Sequence, residues 1–210
     1  MNQPRAVAEF EGTPQTKKEQ EVLRVASDYF LSHGYKGTSI NAMARDAGIS
    51  KESIYRYFSS KEKLFEAVIL KELSDYRKRF DFLHVGYETM PLEAGLRQAG
   101  VSMLRAVSND RVLALRRLVF QEAARSPDVG ETYYAIGPQA AYGHLESLFE
   151  AHRPESEFTS SQLAEYFAAM LLHKKMLQRE CGVSKSLTRS EIDEHVERVT
   201  SIFLSRFLDT

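Results

Sequence analysis

Residues 38–58 constrain this chain more than any other stretch, because they spell two short helices joined by a tight turn. Gly48 stands where the first helix must end and the backbone must reverse, a place that favours positive φ. Ser50 follows, with a hydroxyl able to accept a bond from a free first-turn amide of the second helix. Ile54 and Phe58 lie four apart and share one face, which predicts an anchor to a core. The other side carries Lys51, Glu52, Ser53, Tyr55, Arg56 and Tyr57. Cationic, hydroxyl and aromatic groups of this kind suit phosphates and base edges in a DNA major groove. The same residues also fit a plain helical hairpin with a mixed surface.

Helical periodicity runs through nearly all the rest, so the expected fold class is all-α. Thr16 and Glu19 have capping-box spacing and open a helix with Val22, Ala26 and Phe30 inward, closed by Gly34. Ser59 or Ser60 then starts a longer helix carrying Leu64, Phe65, Val68, Ile69, Leu73, Tyr76 and Phe80 on one stripe. That helix is the natural mechanical link to whatever follows. A turn near Gly86 leads to Pro91, suited to a first helical turn, and to the stripe Leu92, Leu96, Ala99, Met103, Val107. Asp110 is expected to cap the next helix, which runs through Leu115, Leu118, Val119 and Glu122 and stops at Ser126-Pro127. Gly137-Pro138 breaks the segment after it. Two amphipathic helices end the pattern, one with Leu163, Phe167, Met170, Leu171, Lys174 and Leu177, the other with Ile192, Val196, Val199, Phe203 and Phe207. Their stripes can be buried inside one protomer or against a partner.

The 210 residues allow one or two domains, and a hydrophobic content of 43% is ample for a packed core. A net charge of −1 excludes a generic polycation, yet residues 34–63 hold six basic side chains against three acidic ones. A local basic surface on a near-neutral chain fits selective nucleic-acid docking better than indiscriminate binding. The single cysteine, Cys181, leaves no intramolecular disulfide and fits a cytoplasmic location. No hydrophobic run approaches a membrane span, so no membrane partner is expected. Residues 1–15 are polar, lack a signal-peptide core and are expected to form a flexible arm.

An enzyme is the main rival class. None of the six histidines, His33, His84, His144, His152, His173 and His195, has zinc-site spacing. Glycine-rich phosphate loops and nucleophile elbows are missing too. No catalytic residue, metal or cofactor is therefore expected. A second rival is a helical protein-interaction module, which sequence- and salt-sensitive DNA retardation would argue against.

The block from residue 16 to about 76 resembles the N-terminal domain of the TetR/AcrR (tetracycline-repressor) family of bacterial regulators. The match is carried by Val25-Ala26-Ser27-Asp28-Tyr29-Phe30, Gly34-Tyr35, Thr38-Ser39, Ala44, Ala47-Gly48-Ile49-Ser50, Ile54-Tyr55, Tyr57-Phe58 and Lys61-Glu62-Lys63-Leu64-Phe65. Residues 117–129 and 133–138 are similar, more weakly, to the sensing domain of an AcrR-like branch. The resemblance implies a helix-turn-helix domain of three helices over 16–76, its motif at about 39–58, and a helical ligand-sensing and dimerisation domain over 77–210. It implies a homodimer on a double-stranded, palindromic operator, and a repressor released by a small hydrophobic molecule. A member without such a ligand is the alternative. Glu52 departs from the pattern, since that position is often small; a carboxylate there reads cytosine or repels phosphate.

Arg56 and Lys51 are then the candidates for guanine edges. Thr38, Ser39, Ser50, Tyr55, Tyr57 and Lys61 are expected to hold the DNA backbone, with Glu52 and Ser53 on the same face. For the effector, the aromatic and methionine content points to Met103, Phe120, Tyr133, Tyr142, Phe167 and Met170, with Glu122 and His173 as polar contacts. For the dimer, the resemblance implies that the two last helices pair with their copies, through Phe167, Met170, Lys174, Leu177, Val196, Val199 and Phe203.

Overall fold

The computed structural model describes residues 16–79 and 90–208. The expected arm at 1–15, the turn near Gly86 and Phe80 lie outside the described residues. Among the described residues the chain is helical, without strands. In order the helices are α1 (Lys17–Gly37), α2 (Ile40–Asp46), α3 (Lys51–Phe58), α4 (Lys61–Arg79), α5 (Leu92–Ser108), α6 (Asp110–Ala123), α7 (Pro127–Ile136), α8 (Pro138–His152), α9 (Ser160–Glu180) and α10 (Arg189–Phe207).

Local chemistry sets most of the helix ends. Capping boxes open α1 (Thr16 with Glu19), α9 (Thr159 with Gln162) and α10 (Thr188 with Glu191), each satisfying two amides that a helix start leaves free. Ser60 caps α4, its hydroxyl accepting from the Lys63 amide at 3.2 Å. Three ends differ from expectation. Gly34, at φ 70° and ψ 175°, interrupts α1, but helical backbone resumes as far as Gly37. Pro91 precedes α5 as its cap residue, since its ψ of 140° is extended and not helical. Asn109, not Asp110, caps α6: its side-chain carbonyl accepts from the amides of Arg111 (3.0 Å) and Val112 (3.2 Å). Asn109 has extended backbone, which aims the side chain at those amides, whereas Asp110 is already the first helical residue.

By packing, the chain divides into two units. One holds residues up to Arg79 together with Ala114–Gly137; the other holds Phe80–Leu113 together with Pro138–Thr210. A cut along the chain after residue 76 therefore does not follow the packing, because part of α6 and all of α7 join the N-terminal helices. The core of the first unit explains why. Phe30, Met43, Ile54, Leu64, Phe65 and Val68 are buried in one cluster with Leu118, Val119, Val129 and Ile136. Each such side chain contributes roughly 1.5–3 kcal/mol by leaving water. Phe30 and Phe65 meet edge to face at 5.1 Å, fixing α1 on α4.

The second unit packs α5, α8, α9 and α10 around Leu96, Met103, Leu148, Phe149, Phe167, Leu171, Val196 and Phe203. This corrects the expected dimer residues. Phe167 and Phe203 are 0% exposed, Val196 2% and Val199 5%, in the chain taken by itself. Those four side chains fill the core of their own chain. Of the expected set, Met170 is half-buried while Lys174 and Leu177 are exposed.

Candidate nucleic-acid interface

The first unit builds a surface around α2, α3 and the start of α4. After α2, Ala47 is still helical and Gly48 turns at φ 65°. The Gly48 and Ile49 amides donate back to the carbonyls of Arg45 and Ala44, at 3.1 and 3.0 Å, sealing the end of α2. Ser50 then caps α3, its hydroxyl accepting from the Ser53 amide at 3.1 Å. Ile54 and Phe58 are buried, so the 3.6-residue period turns Glu52, Tyr55 and Arg56 outward. Lys51 is exposed as well, and Ser53 and Tyr57 are half-buried at the flank.

Two cations on α3 sit over hydroxylated rings. The Lys51 ammonium lies 5.9 Å from the centre of the Tyr55 ring, and the Arg56 guanidinium lies 5.5 Å from that of Tyr57. Tyr57 also packs on the core. This face offers charged donors, one carboxylate and two phenols, a set able to meet base edges and phosphate oxygens together. The N-terminal end of α3 adds partial positive charge.

The other expected residues fall at the rim. Ser39 caps α2, accepting from the Ala42 amide at 3.4 Å. Thr38 is 4% exposed, and its hydroxyl donates to the Gly34 carbonyl at 2.7 Å. Its side chain serves the turn and is not presented to a ligand. Lys61 is half-buried, and its ammonium donates to the Thr38 carbonyl at 2.8 Å while lying 4.6 Å from the centre of the Tyr35 ring.

Tyr35 is the residue that sequence reasoning passed over. It follows Gly34, whose φ is 70°, and its ring lies under the Lys61 ammonium. The ring packs on Phe65 (5.0 Å) and Phe30 (6.0 Å), and the hydroxyl donates to Glu62 at 2.6 Å. Burial, and then that bond, push the Tyr35 hydroxyl above its ordinary range. The same bond is the main reason the Glu62 carboxyl lies below the usual carboxylate range. Tyr29 plays a parallel part, donating to Asp46 at 2.5 Å and tying α1 to the last turn of α2.

The expected effector residues do not form one group within either unit. In the second unit, Met103 and Phe167 are core, Tyr142 and Met170 pack against that core half-buried, and His173 is exposed. His173 therefore reads as a surface residue of α9. In the first unit, Phe120 is 55% exposed with its ring 6.3 Å from Tyr133 and the Arg116 guanidinium 4.6 Å from it. Glu122 is buried, its carboxylate 3.7 Å from Arg125. Among the described residues no group of His, Cys, Asp or Glu could hold a metal ion, and no helix is long and apolar enough to cross a membrane.

Two family models match the chain. Residues 22–68 match the family model described as bacterial regulatory proteins, tetR family. Residues 94–208 match the C-terminal domain of AefR-like transcriptional repressors, where the sequence had suggested an AcrR-like branch. The chain is similar to the HTH-type transcriptional repressor AcnR of Corynebacterium efficiens, at 23% identity over 66% of this chain and 81% of that protein. It is similar to the uncharacterized HTH-type regulator YhgD of Bacillus subtilis, at 32% identity over 29% of this chain. It spans 31% of YhgD and 55% of the Bacillus subtilis regulator YdgC, so about a third to a half of those relatives' lengths. A crystal structure of a TetR-family regulator from Mesorhizobium loti superposes with a TM-score of 0.79 at 26% identity, covering 93% of this chain and all of that one (100%). The structure described as flavonoid-responsive regulator FrrA superposes at 0.70, also at 26% identity, over 91% of this chain and 97% of the other.

Proposed function

The chain belongs to the TetR family of bacterial transcriptional regulators, and from that premise we propose that it is a homodimeric repressor that releases its operator on binding a small apolar molecule. The observation that carries the DNA part is α3. Two buried anchors, Ile54 and Phe58, hold the helix down while Lys51, Glu52, Tyr55 and Arg56 face outward. On this reading α3 enters one major groove, with Arg56 and Lys51 at guanine edges and Glu52 at a cytosine amine. Ser39, Ser50, Tyr57 and Lys61 meet the backbone and fix register.

The dimer seam is proposed on the outer face of α9 and α10. There Leu177 is 52% and Ile202 46% exposed, with Ala169, His173 and Lys174 beside Leu177 on α9. Exposed apolar side chains on two neighbouring helices suit an isologous contact, in which the same patch serves both copies. A twofold protein then asks for an inverted repeat in DNA. The repressor sense is supported by the name of AcnR and by the AefR-like repressor model.

The effector is proposed to be apolar or amphipathic, taken up by the second unit near Met103, Tyr142 and Met170. The description of FrrA as flavonoid-responsive favours an aromatic molecule with hydroxyl groups. Such a molecule releases DNA only if it binds the non-operator conformer more tightly. Selection of duplexes from a random pool tests the whole reading. An enriched inverted repeat, bound by a dimer and released by a compound that also raises the melting temperature, is the expected result. A pool that never enriches would refute the regulator reading. Enrichment with no releasing compound would leave a repressor without an effector.

A further inference from the structure

Lys61 stands at the first position of α4, where a long cation would ordinarily sweep through solvent. Its surroundings prevent that. The ammonium lies 4.6 Å from the centre of the Tyr35 ring and donates to the Thr38 carbonyl at 2.8 Å. The Thr38 carbonyl is itself fixed, because the Thr38 hydroxyl donates to Gly34 at 2.7 Å and closes the turn. The Tyr35 ring cannot swing away, being wedged against Phe65 and Phe30 at 5.0 and 6.0 Å. An ammonium has three donors, so one bond to Thr38 leaves two N–H groups for a further acceptor beside the start of α4. Next in sequence is Glu62, a carboxylate that would repel phosphate. The Tyr35 hydroxyl holds it at 2.6 Å.

We propose that Tyr35 is a positioning residue for DNA backbone binding: its ring face orients the Lys61 ammonium toward a phosphate, and its hydroxyl restrains Glu62 beside it. The inference rests on the DNA-binding reading above and adds a residue that never touches the nucleic acid. Its physical content is pre-organisation. The rotamer freedom of Lys61 is given up when the chain folds; without the ring the freed ammonium leaves its phosphate, and one counterion fewer is released. Tyr35 thereby acts on affinity for any duplex and not on sequence preference, since phosphates carry no sequence information.

The test measures binding of the full chain to a mixed-sequence duplex across a salt series, for the parent, Lys61→Ala, Tyr35→Phe and Tyr35→Leu. Neutralising one phosphate fewer should flatten the log–log salt slope by about 0.9. Lys61→Ala should show that flattening. Tyr35→Leu should show the same flattening, and the double variant no more than either. Tyr35→Phe keeps the ring face and should keep the parent slope while binding more weakly, because Glu62 is freed. A Tyr35→Leu slope equal to the parent's, in folded protein, overturns the proposal while leaving the DNA reading intact. A parent that binds no duplex removes both. Because Tyr35→Leu empties space beside Phe30 and Phe65, a second measurement avoids dependence on its folding. The Lys61 side-chain proton resonances, assigned against Lys61→Arg, should be shifted upfield by the ring and stay so on DNA. Resonances at ordinary positions, or an upfield shift that vanishes on DNA, overturn the proposal as well.

Discussion

The guanidinium of Arg179, 6% exposed near the end of α9, reaches the carboxylate of Asp110, which stands on the surface at the start of α6. The same guanidinium donates to the Ser108 carbonyl at 3.2 Å, and Ser186 donates to Asp110 at 3.3 Å. One side chain thus gathers the end of α5, the start of α6 and the loop after α9. Arg179→Met should destabilise the second unit by about 2 kcal/mol, since charged hydrogen bonds of this kind are worth that order. Chemical denaturation checks it, with DNA affinity measured well below the transition and expected unchanged. The Asp110 carboxyl is lowered mainly by its bond from Arg179. Its contribution is therefore present above the ordinary carboxylate range and lost as pH falls through the lowered value.

Arg56→Ala should weaken binding to the selected operator by about 1–3 kcal/mol and relax preference at one base pair. Selection repeated with the variant reads this out. Equal enrichment at every position would move the base-reading role to Lys51 or Glu52.

Ser50→Ala removes the hydroxyl that accepts from the Ser53 amide at 3.1 Å. The expected cost is about 1 kcal/mol of stability. Operator affinity should fall further than non-specific affinity, because a frayed α3 start misplaces Lys51 and Glu52. Paired titrations on operator and mixed-sequence DNA separate the two.

Two neighbours on α10 should behave oppositely. Ile202 is 46% exposed and Val199 5%. Ile202→Glu should give a folded monomer, read by sedimentation together with a native helical spectrum. Val199→Glu should unfold the second unit outright, because a buried carboxylate there has no partner. A stable dimer of Ile202→Glu would move the seam elsewhere.

Acid should loosen α10 from α9 through His195. Its Nε2 donates to the Leu171 carbonyl at 3.0 Å, so Nδ1 is the acceptor for Arg198 at 3.2 Å. Burial first, then Lys175 and Arg198, push this imidazole below the ordinary histidine range. A lowered histidine contributes fully above its unfolded value, and the contribution is lost as pH falls through the folded one. His195→Gln should flatten the loss of stability between neutral and mildly acidic pH. An unchanged slope in that variant would exclude the role.

What the sequence disclosed follows the reach of each interaction. The capping box at Thr16, the turn at Gly48 and the cap at Ser50 join residues close along the chain, so their geometry is written locally. Even locally, adjacent candidates compete: Asn109 and Asp110 both offer an acceptor, and only the backbone decides between them. Periodicity places a stripe on α9 and α10 but cannot name what covers it: Phe203 is covered by its own chain, while its neighbour Ile202 stands exposed. Long-range pairs were silent altogether. Nothing in the spacing of Leu118, Val129 or Ile136 says that they join Phe30 and Phe65, and nothing before Tyr35 says that its ring lies beneath Lys61.

The three capping boxes are not chemically alike. Those of α1 and α10 close through glutamates, Glu19 and Glu191, whereas that of α9 closes through Gln162. An amide has no proton to gain. In acid, Glu191 loses the charge that strengthens its bond from the Thr188 amide, 2.8 Å long, while Gln162, which never carries one, holds Thr159 at 2.9 Å unchanged. Of these two packed helices, α10 is therefore the one whose first turn is tuned by pH, its cap weakening as pH falls through the lowered Glu191 value.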